Sequence, residues 1–148
     1  MFQRISATLV FFSVAILLAG CGGPDLPDTF PVTGSVTYNG RPVVGYTISF
    51  TLIKGGRTAT GKTDDEGKFT LSTFGDRDGA LSGDHSVAIY FIPTGTPPDE
   101  MPEDAPPQEG QQPTVIIPEK YGTPQTSGLK LTVTENRKDN KFAIEVSD

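Results

Sequence analysis

An all-β architecture, a β-sandwich of seven strands, follows from three features of the sequence. Seven runs alternate apolar and polar residues with a period of two, the spacing that sends successive side chains to opposite faces of a sheet. Clusters of turn-forming residues separate these runs at roughly even intervals, as they do in sandwiches. The 17 glycines and 13 prolines make up about a fifth of the 148 residues, and such punctuation suits short strands and turns better than helices. The chain has a single cysteine. No internal disulfide is possible, so the core has to hold without covalent staples.

The first twenty residues stand apart. Arg4 is their only charge, and Ile5 to Leu18 form an apolar stretch interrupted by Ser6, Thr8 and Ser13. As a helix this stretch would be about 21 Å long, short of the roughly 30 Å hydrocarbon core of a bilayer. That length suits the apolar region of a signal peptide over residues 1–20; a retained membrane-anchoring helix is the competing reading. The segment ends in Leu18-Ala19-Gly20-Cys21. This quartet resembles the lipobox of bacterial lipoproteins, in which small residues admit the signal peptidase and the cysteine thiolate takes up lipid. The resemblance implies cleavage after Gly20 and diacylglyceration of Cys21, often with further acylation of the new N-terminus. Two or three acyl chains give lasting attachment where one is marginal, because each buried methylene contributes about 0.8 kcal/mol. The residue after the cysteine is Gly22 and not the Asp that retains enterobacterial lipoproteins at the inner membrane, so the outer membrane is favoured. Residues 21–31, rich in Gly, Pro and Asp, read as a lipidated tether.

The domain is expected over residues 32–148. Val32, Gly34, Val36 and Tyr38 alternate with Thr33, Ser35 and Thr37, and Asn39-Gly40 follows as a strong hairpin signal, since both residue types tolerate positive φ. Val44 to Ile53 continues as a strand with Ile48, Phe50 and Leu52 on one face. After the Lys54-Gly55-Gly56 turn, Arg57 to Thr63 is polar and rich in threonine, which suits an edge strand. Asp64-Asp65-Glu66-Gly67 is a turn, and Lys68 to Phe74 is a strand with Phe69, Leu71 and Thr73 on one face. Asp84 to Ile92 is apolar on both faces, with His85, Val87, Ile89 and Phe91 on one of them, and so belongs at the centre of a sheet. Gly128 to Glu135 and Lys141 to Ser147 alternate again and close the domain.

Several of these residues resemble the carboxypeptidase regulatory-like domain. They are Gly34-x-Val36, Gly40-x-Pro42-Val43, Thr63-Asp64-x-x-Gly67-x-Phe69 and Leu81 to Val87, in which His85 stands where that family places a tyrosine. Ile117 to Gly122 and Thr126 to Leu129 look like a subgroup of small bacterial lipoproteins built on this domain. The resemblance spans about residues 31–148 and implies a seven-stranded transthyretin/Ig-like sandwich. Its motifs are turn and core features, which speak for a fold and not for an activity. The catalytic residues of metallocarboxypeptidases lie in a separate domain that has no counterpart here.

Residues 93–118 break the pattern. The span holds eight prolines and the acids Asp99, Glu100, Glu103, Asp104 and Glu109. Proline blocks strands and helices, and the acids repel one another. A long loop is expected, either disordered or used for contact, with a short apolar piece at Val115-Ile116-Ile117.

Charge and motifs exclude several functions. The chain carries a net charge of −6; losing residues 1–20 removes Arg4 and no acid, leaving −7. Nucleic acid is not an expected partner, since phosphate contacts need a basic patch. His85 is the one histidine, and its strand position suits packing better than catalysis. No zinc-ligand spacing and no nucleophile elbow is present. Asp64 to Gly67 superficially resembles a calcium loop, but the twelfth position is Gly75 in place of a glutamate, and the turn reading prevails. No catalytic residue, cofactor or metal site is therefore assigned.

The expectation is a non-enzymatic, lipid-anchored envelope protein with a binding or structural role. Lipid on Cys21 would hold it to the membrane, with the domain in the periplasm or at the cell surface. An envelope protein or a glycan would be the partner, met through the 93–118 loop or by strand addition at a sheet edge. The alternative is a carbohydrate-binding module with Tyr46 and Tyr121 as exposed aromatics, although the chain has no tryptophan. A small hydrolase is the third reading.

Overall fold

The computed structural model describes residues 26–93, 113 and 115–148. Residues 1–20, Cys21 and most of the 93–118 loop therefore lie outside the described residues, as does the first part of the tether. Ten strands form: β1 (Thr29–Phe30), β2 (Thr33–Tyr38), β3 (Arg41–Pro42), β4 (Thr47–Leu52), β5 (Ala59–Lys62), β6 (Lys68–Thr70), β7 (Ala80–Leu81), β8 (Gly83–Tyr90), β9 (Leu129–Val133) and β10 (Lys141–Val146). The all-β reading holds. The count differs from the expected seven because β1, β3 and β7 are two-residue pairings, too short to show any alternation in the sequence. A 3-10 helix at Glu119–Gly122 was also not foreseen; a single turn shows too few residues for helical periodicity to register.

Two four-stranded sheets face each other in a β-sandwich-like arrangement. In the first, β2 lies between β10 on one side and β3 and β6 on the other. The β2–β10 pair is parallel along its whole length, from Thr33 opposite Lys141 to Tyr38 opposite Val146. The second sheet runs β5-β4-β8-β9, every pair antiparallel. Thus β8 is central and β5 is an edge, as their sequences predict. A small β1–β7 pair joins the entry of the domain to the approach of β8. On one side the sheets are stitched by the Thr60–Ser72 bridge, with Thr60 N–H on the Ser72 carbonyl and Ser72 N–H on the Thr60 carbonyl.

The period-two pattern decides what is buried. Val32 and Val36 from β2 and its approach, Ile144 and Val146 from β10, Ile48 and Phe50 from β4, and Val87 and Ile89 from β8 form one core. Phe50 is completely buried and bridges the sheets: its ring centroid lies 6.2 Å from that of Phe69 and 5.9 Å from that of Phe142. These tilted arrangements are the favoured aromatic geometry and contribute about 0.5–1.5 kcal/mol each beyond area burial. The Asn39-Gly40 signal is realised as a tight turn with φ of 49° and 78°. At the far end, buried Asn140 accepts Thr134 N–H at 2.9 Å through its side-chain oxygen and donates to the Thr134 carbonyl at 2.8 Å. It ties the β9–β10 turn to the sandwich in place of a disulfide.

Gly34 is glycine because nothing larger fits. A Cβ there would run into the Phe142 carbonyl oxygen and, at 2.6 Å, the tip of the Phe69 ring. The Gly34→Ala variant is expected to lose about 2 kcal/mol or more by overpacking. Denaturant unfolding should show a lower midpoint with an unchanged slope. An unchanged midpoint would mean that Phe69 swings aside at no cost.

Candidate functional site

The outer face of the first sheet carries the side chains that alternation turns away from the core. Thr33 lies between Lys141 on β10 and Thr70 on β6, and Ser35 lies between Ala143 and Lys68. Two cross-strand rows of hydroxyls and lysines therefore pave this face. The β5 strand adds Thr60 and Lys62, and the loop after β6 adds Ser72, Asp76 and Arg77. Together they enclose an open groove of about 820 Å³, within the range of ligand clefts.

The walls of the groove are fixed by backbone-directed side chains. Asp64 Oδ1 accepts the N–H of Glu66 at 2.9 Å and of Lys68 at 2.8 Å, and Gly67 closes the turn with φ of 72°. This carboxylate serves the turn, as the sequence reading prefers over a calcium loop. Among the described residues no three His, Cys, Asp or Glu side chains gather as a metal site. Across the groove, Asp78 accepts N–H groups from Thr73 at 2.7 Å, Phe74 at 2.9 Å and Gly75 at 3.0 Å. Burial pushes the Asp78 carboxyl up, but these backbone donors outweigh it and hold it below the usual carboxylate range. Arg77 is held in the left-handed region with φ of 55°, its N–H on the Ser72 hydroxyl at 2.9 Å. Such backbone strain persists only where its surroundings enforce it.

Four cations line the groove: Lys62, Lys68, Arg77 and Lys141. Lys68 pairs with Glu66, which holds the ammonium above the ordinary lysine value through a hydrogen bond and through charge. Arg77 Nε is 4.0 Å from Asp76. Lys62 and Lys141 have no ion pair among the described residues. The sequence does not single these positions out: Lys62, Lys68 and Lys141 read as strand residues and Arg77 as part of a charged turn at Gly75 to Gly79. What brings them together is the pairing of β10 with β2 and of β2 with β6, and the Thr60–Ser72 bridge that sets β5 beside the loop carrying Arg77.

The residues singled out earlier lie elsewhere. His85 is wholly buried on β8 between Leu52 and Leu131, with its ring 5.8 Å from that of Phe50. Its Nδ1 lies 3.0 Å from the Gly83 carbonyl, and its buried Nε2 has no partner among the described residues. Burial pulls the imidazole below its ordinary value, against smaller upward effects from the Gly83 carbonyl and Asp84. Tyr46 and Tyr121, expected to be exposed, are 4% and 7% exposed. Tyr46 donates to the Val115 carbonyl at 2.8 Å and packs on Phe91. The Tyr121 hydroxyl donates to the Ser147 carbonyl at 2.9 Å and accepts Ser147 N–H at 3.2 Å. Both rings seal the core, because a phenol buries a large apolar body once its hydroxyl finds a partner. Of the predicted apolar piece, Ile117 is buried and Val115 packs on the core, while Ile116 is 81% exposed.

Two outcomes are expected. With its pKa depressed in the folded state, neutral His85 favours the fold. Above the free-imidazole value of 6.5 both states are neutral and the histidine has no pH effect. As pH falls below that value the unfolded chain takes up the proton first, so stability drops until the lower folded value is reached. Urea titrations should show this slope in the native chain and lose it in His85→Leu; a slope that persists assigns it to other groups. Asp78→Ala should destabilise by about 1 kcal/mol, since three N–H groups lose their acceptor and water reaches at least that of exposed Gly75, with faster amide exchange confined to residues 73–79, whereas unchanged exchange there would mean that Asp78 does not hold the loop.

In comparisons with known proteins, no family model, no curated protein and no solved structure matches this chain.

Proposed function

We propose that this protein is a non-enzymatic, lipid-anchored component of the bacterial envelope whose domain serves in binding. The observation that carries the reading is Leu18-Ala19-Gly20-Cys21 at the end of a short apolar stretch. One thiol in the whole chain, placed at the acceptor position of a lipobox, suits acylation better than packing. Among the described residues no helix is long and apolar enough to cross a membrane. In this reading the domain is a transthyretin-like sandwich of seven principal strands, held by its lipid to the membrane, with the outer membrane favoured.

The domain's chemistry supports binding over catalysis. The one histidine is buried against Phe50 and the Gly83 carbonyl, and among the described residues no hydroxyl hydrogen-bonds to it as activation would require. The groove offers cations and hydroxyls on a rigid sheet face, the equipment of a recognition surface. This feature favours the carbohydrate-binding form of the reading over a purely structural role, even though the aromatic platform expected of Tyr46 and Tyr121 is not available.

In cells fed an alkyne-bearing palmitate, the full-length protein is expected to take up label and sediment with membranes. Cys21→Ser should abolish the label and keep the higher-mass precursor. Label retained in Cys21→Ser, or none in the native chain, would overturn the lipid anchor.

A further inference from the structure

We propose that the groove across β10, β2 and β6 binds an acidic polysaccharide, a chain of sugars bearing ring carboxylates. The proposal deepens the binding role above and rests on that reading for its setting in the envelope.

Charge is the first ground. The lining holds four cations, but Lys68 is paired with Glu66 and Arg77 lies beside Asp76, so that Lys62 and Lys141 against Asp64 leave a small local excess of positive charge on a chain whose net charge is −6. Asp64 is held in place by two backbone N–H groups and keeps its charge, and Asp76 lies beside Arg77. Lys62 and Lys141 stand at different sides of the groove with no ion pair among the described residues. The concentration of cations in one concavity of an acidic protein is charge complementarity towards an anion. The acidic remainder of the chain repels that anion at longer range, so attraction acts within about one Debye length, roughly 10 Å at 0.1 M salt. Affinity is then moderate and sensitive to salt.

Geometry selects the class of anion. Lys141 and the Lys68 that a bound anion would share with Glu66 lie two strands and one row apart, a diagonal of about 12 Å from ordinary sheet spacings. Between them the floor is hydroxyl: Thr33, Ser35 and Thr70. A polymer with carboxylates at intervals and hydroxyls between them matches that alternation. A neutral glycan would depend on aromatic stacking, and Phe69, the nearest ring on β6, is 3% exposed and turned into the core. Strand addition by a peptide has no place on this floor, a sheet face whose central strand β2 is paired on both sides. The groove is also preformed, since Asp64 and Asp78 lock its two walls through backbone hydrogen bonds, and little ordering cost falls on binding.

The test uses the full-length acylated chain in detergent, titrated with polygalacturonate, dextran and poly-L-glutamate and followed by microscale thermophoresis. Saturable binding to polygalacturonate alone is expected, weakening several-fold as salt is raised. The double variant Lys62→Glu/Lys141→Glu should bind at least about tenfold more weakly, while Lys54→Glu/Lys130→Glu, outside the groove, stays within about twofold. An unchanged melting temperature and unchanged palmitate labelling of the double variant would confirm that the groove alone was altered. Equal binding of poly-L-glutamate would make the site one for acidic peptide and overturn the proposal. So would equal binding of dextran, equal loss in the control variant, or no polygalacturonate binding at all. Binding that persists in Cys21→Ser would separate this site from the lipid anchor, so that each reading can fail alone.

Discussion

Everything in the domain depends on how closely two backbones approach at Gly34. With no Cβ there, the Phe69 ring lies across β2 and reaches Phe50 from the opposite sheet. Phe142, next to Gly34 on β10, reaches the same ring from the other side. Phe50 is thus gripped by aromatics from two strands that are themselves joined only through β2. The contact does more than bury area. It ties the two sheets together across β2, and the order β10-β2-β6 lets the two lysine-bearing strands flank a common floor.

The same strands therefore serve two purposes with alternate residues. Along β2, Val36 faces the core while Thr33 and Ser35 face the groove; along β6, Phe69 faces the core while Lys68 and Thr70 face out. Because a strand's side chains alternate, a rigid core makes a rigid outer face at no further expense of order. The loops contribute where strands end. Asp64 and Asp78 turn their carboxylates onto backbone N–H groups, which satisfies the chain at its bends and leaves lysines to define the charge of the groove.

Polar groups inside the sandwich follow the same economy, with one exception. Thr63 accepts Tyr46 N–H at 2.9 Å, Ser127 donates to the Val87 carbonyl at 2.5 Å, and Asn140 closes the Thr134 turn. Among the described residues, His85 alone leaves a buried side-chain nitrogen unpaired. An apolar neighbourhood of Phe50, Leu52 and Leu131 favours the neutral imidazole over the charged one, which couples this stretch of core to pH.

The period-two alternation, with Gly, Pro and Asn-Gly at the breaks, determined the all-β class, the central place of β8, the edge place of β5 and the burial of His85. These are local facts: a residue's parity along its strand and the tolerance of its backbone are written in its immediate neighbours. The Leu18 to Cys21 motif is likewise local, and the proposed anchor rests on sequence alone. Three matters were decided only by tertiary structure. Two-residue strands such as β3 exist because β2 offers them a partner. Tyr46 and Tyr121 are buried because the Val115 and Ser147 carbonyls, 69 and 26 residues away, satisfy their hydroxyls. The groove exists because Lys141, Thr33 and Thr70, distant in sequence, fall into one cross-strand row. Register between strands is a long-range quantity, fixed by which apolar faces must meet, and no window along the chain contains it.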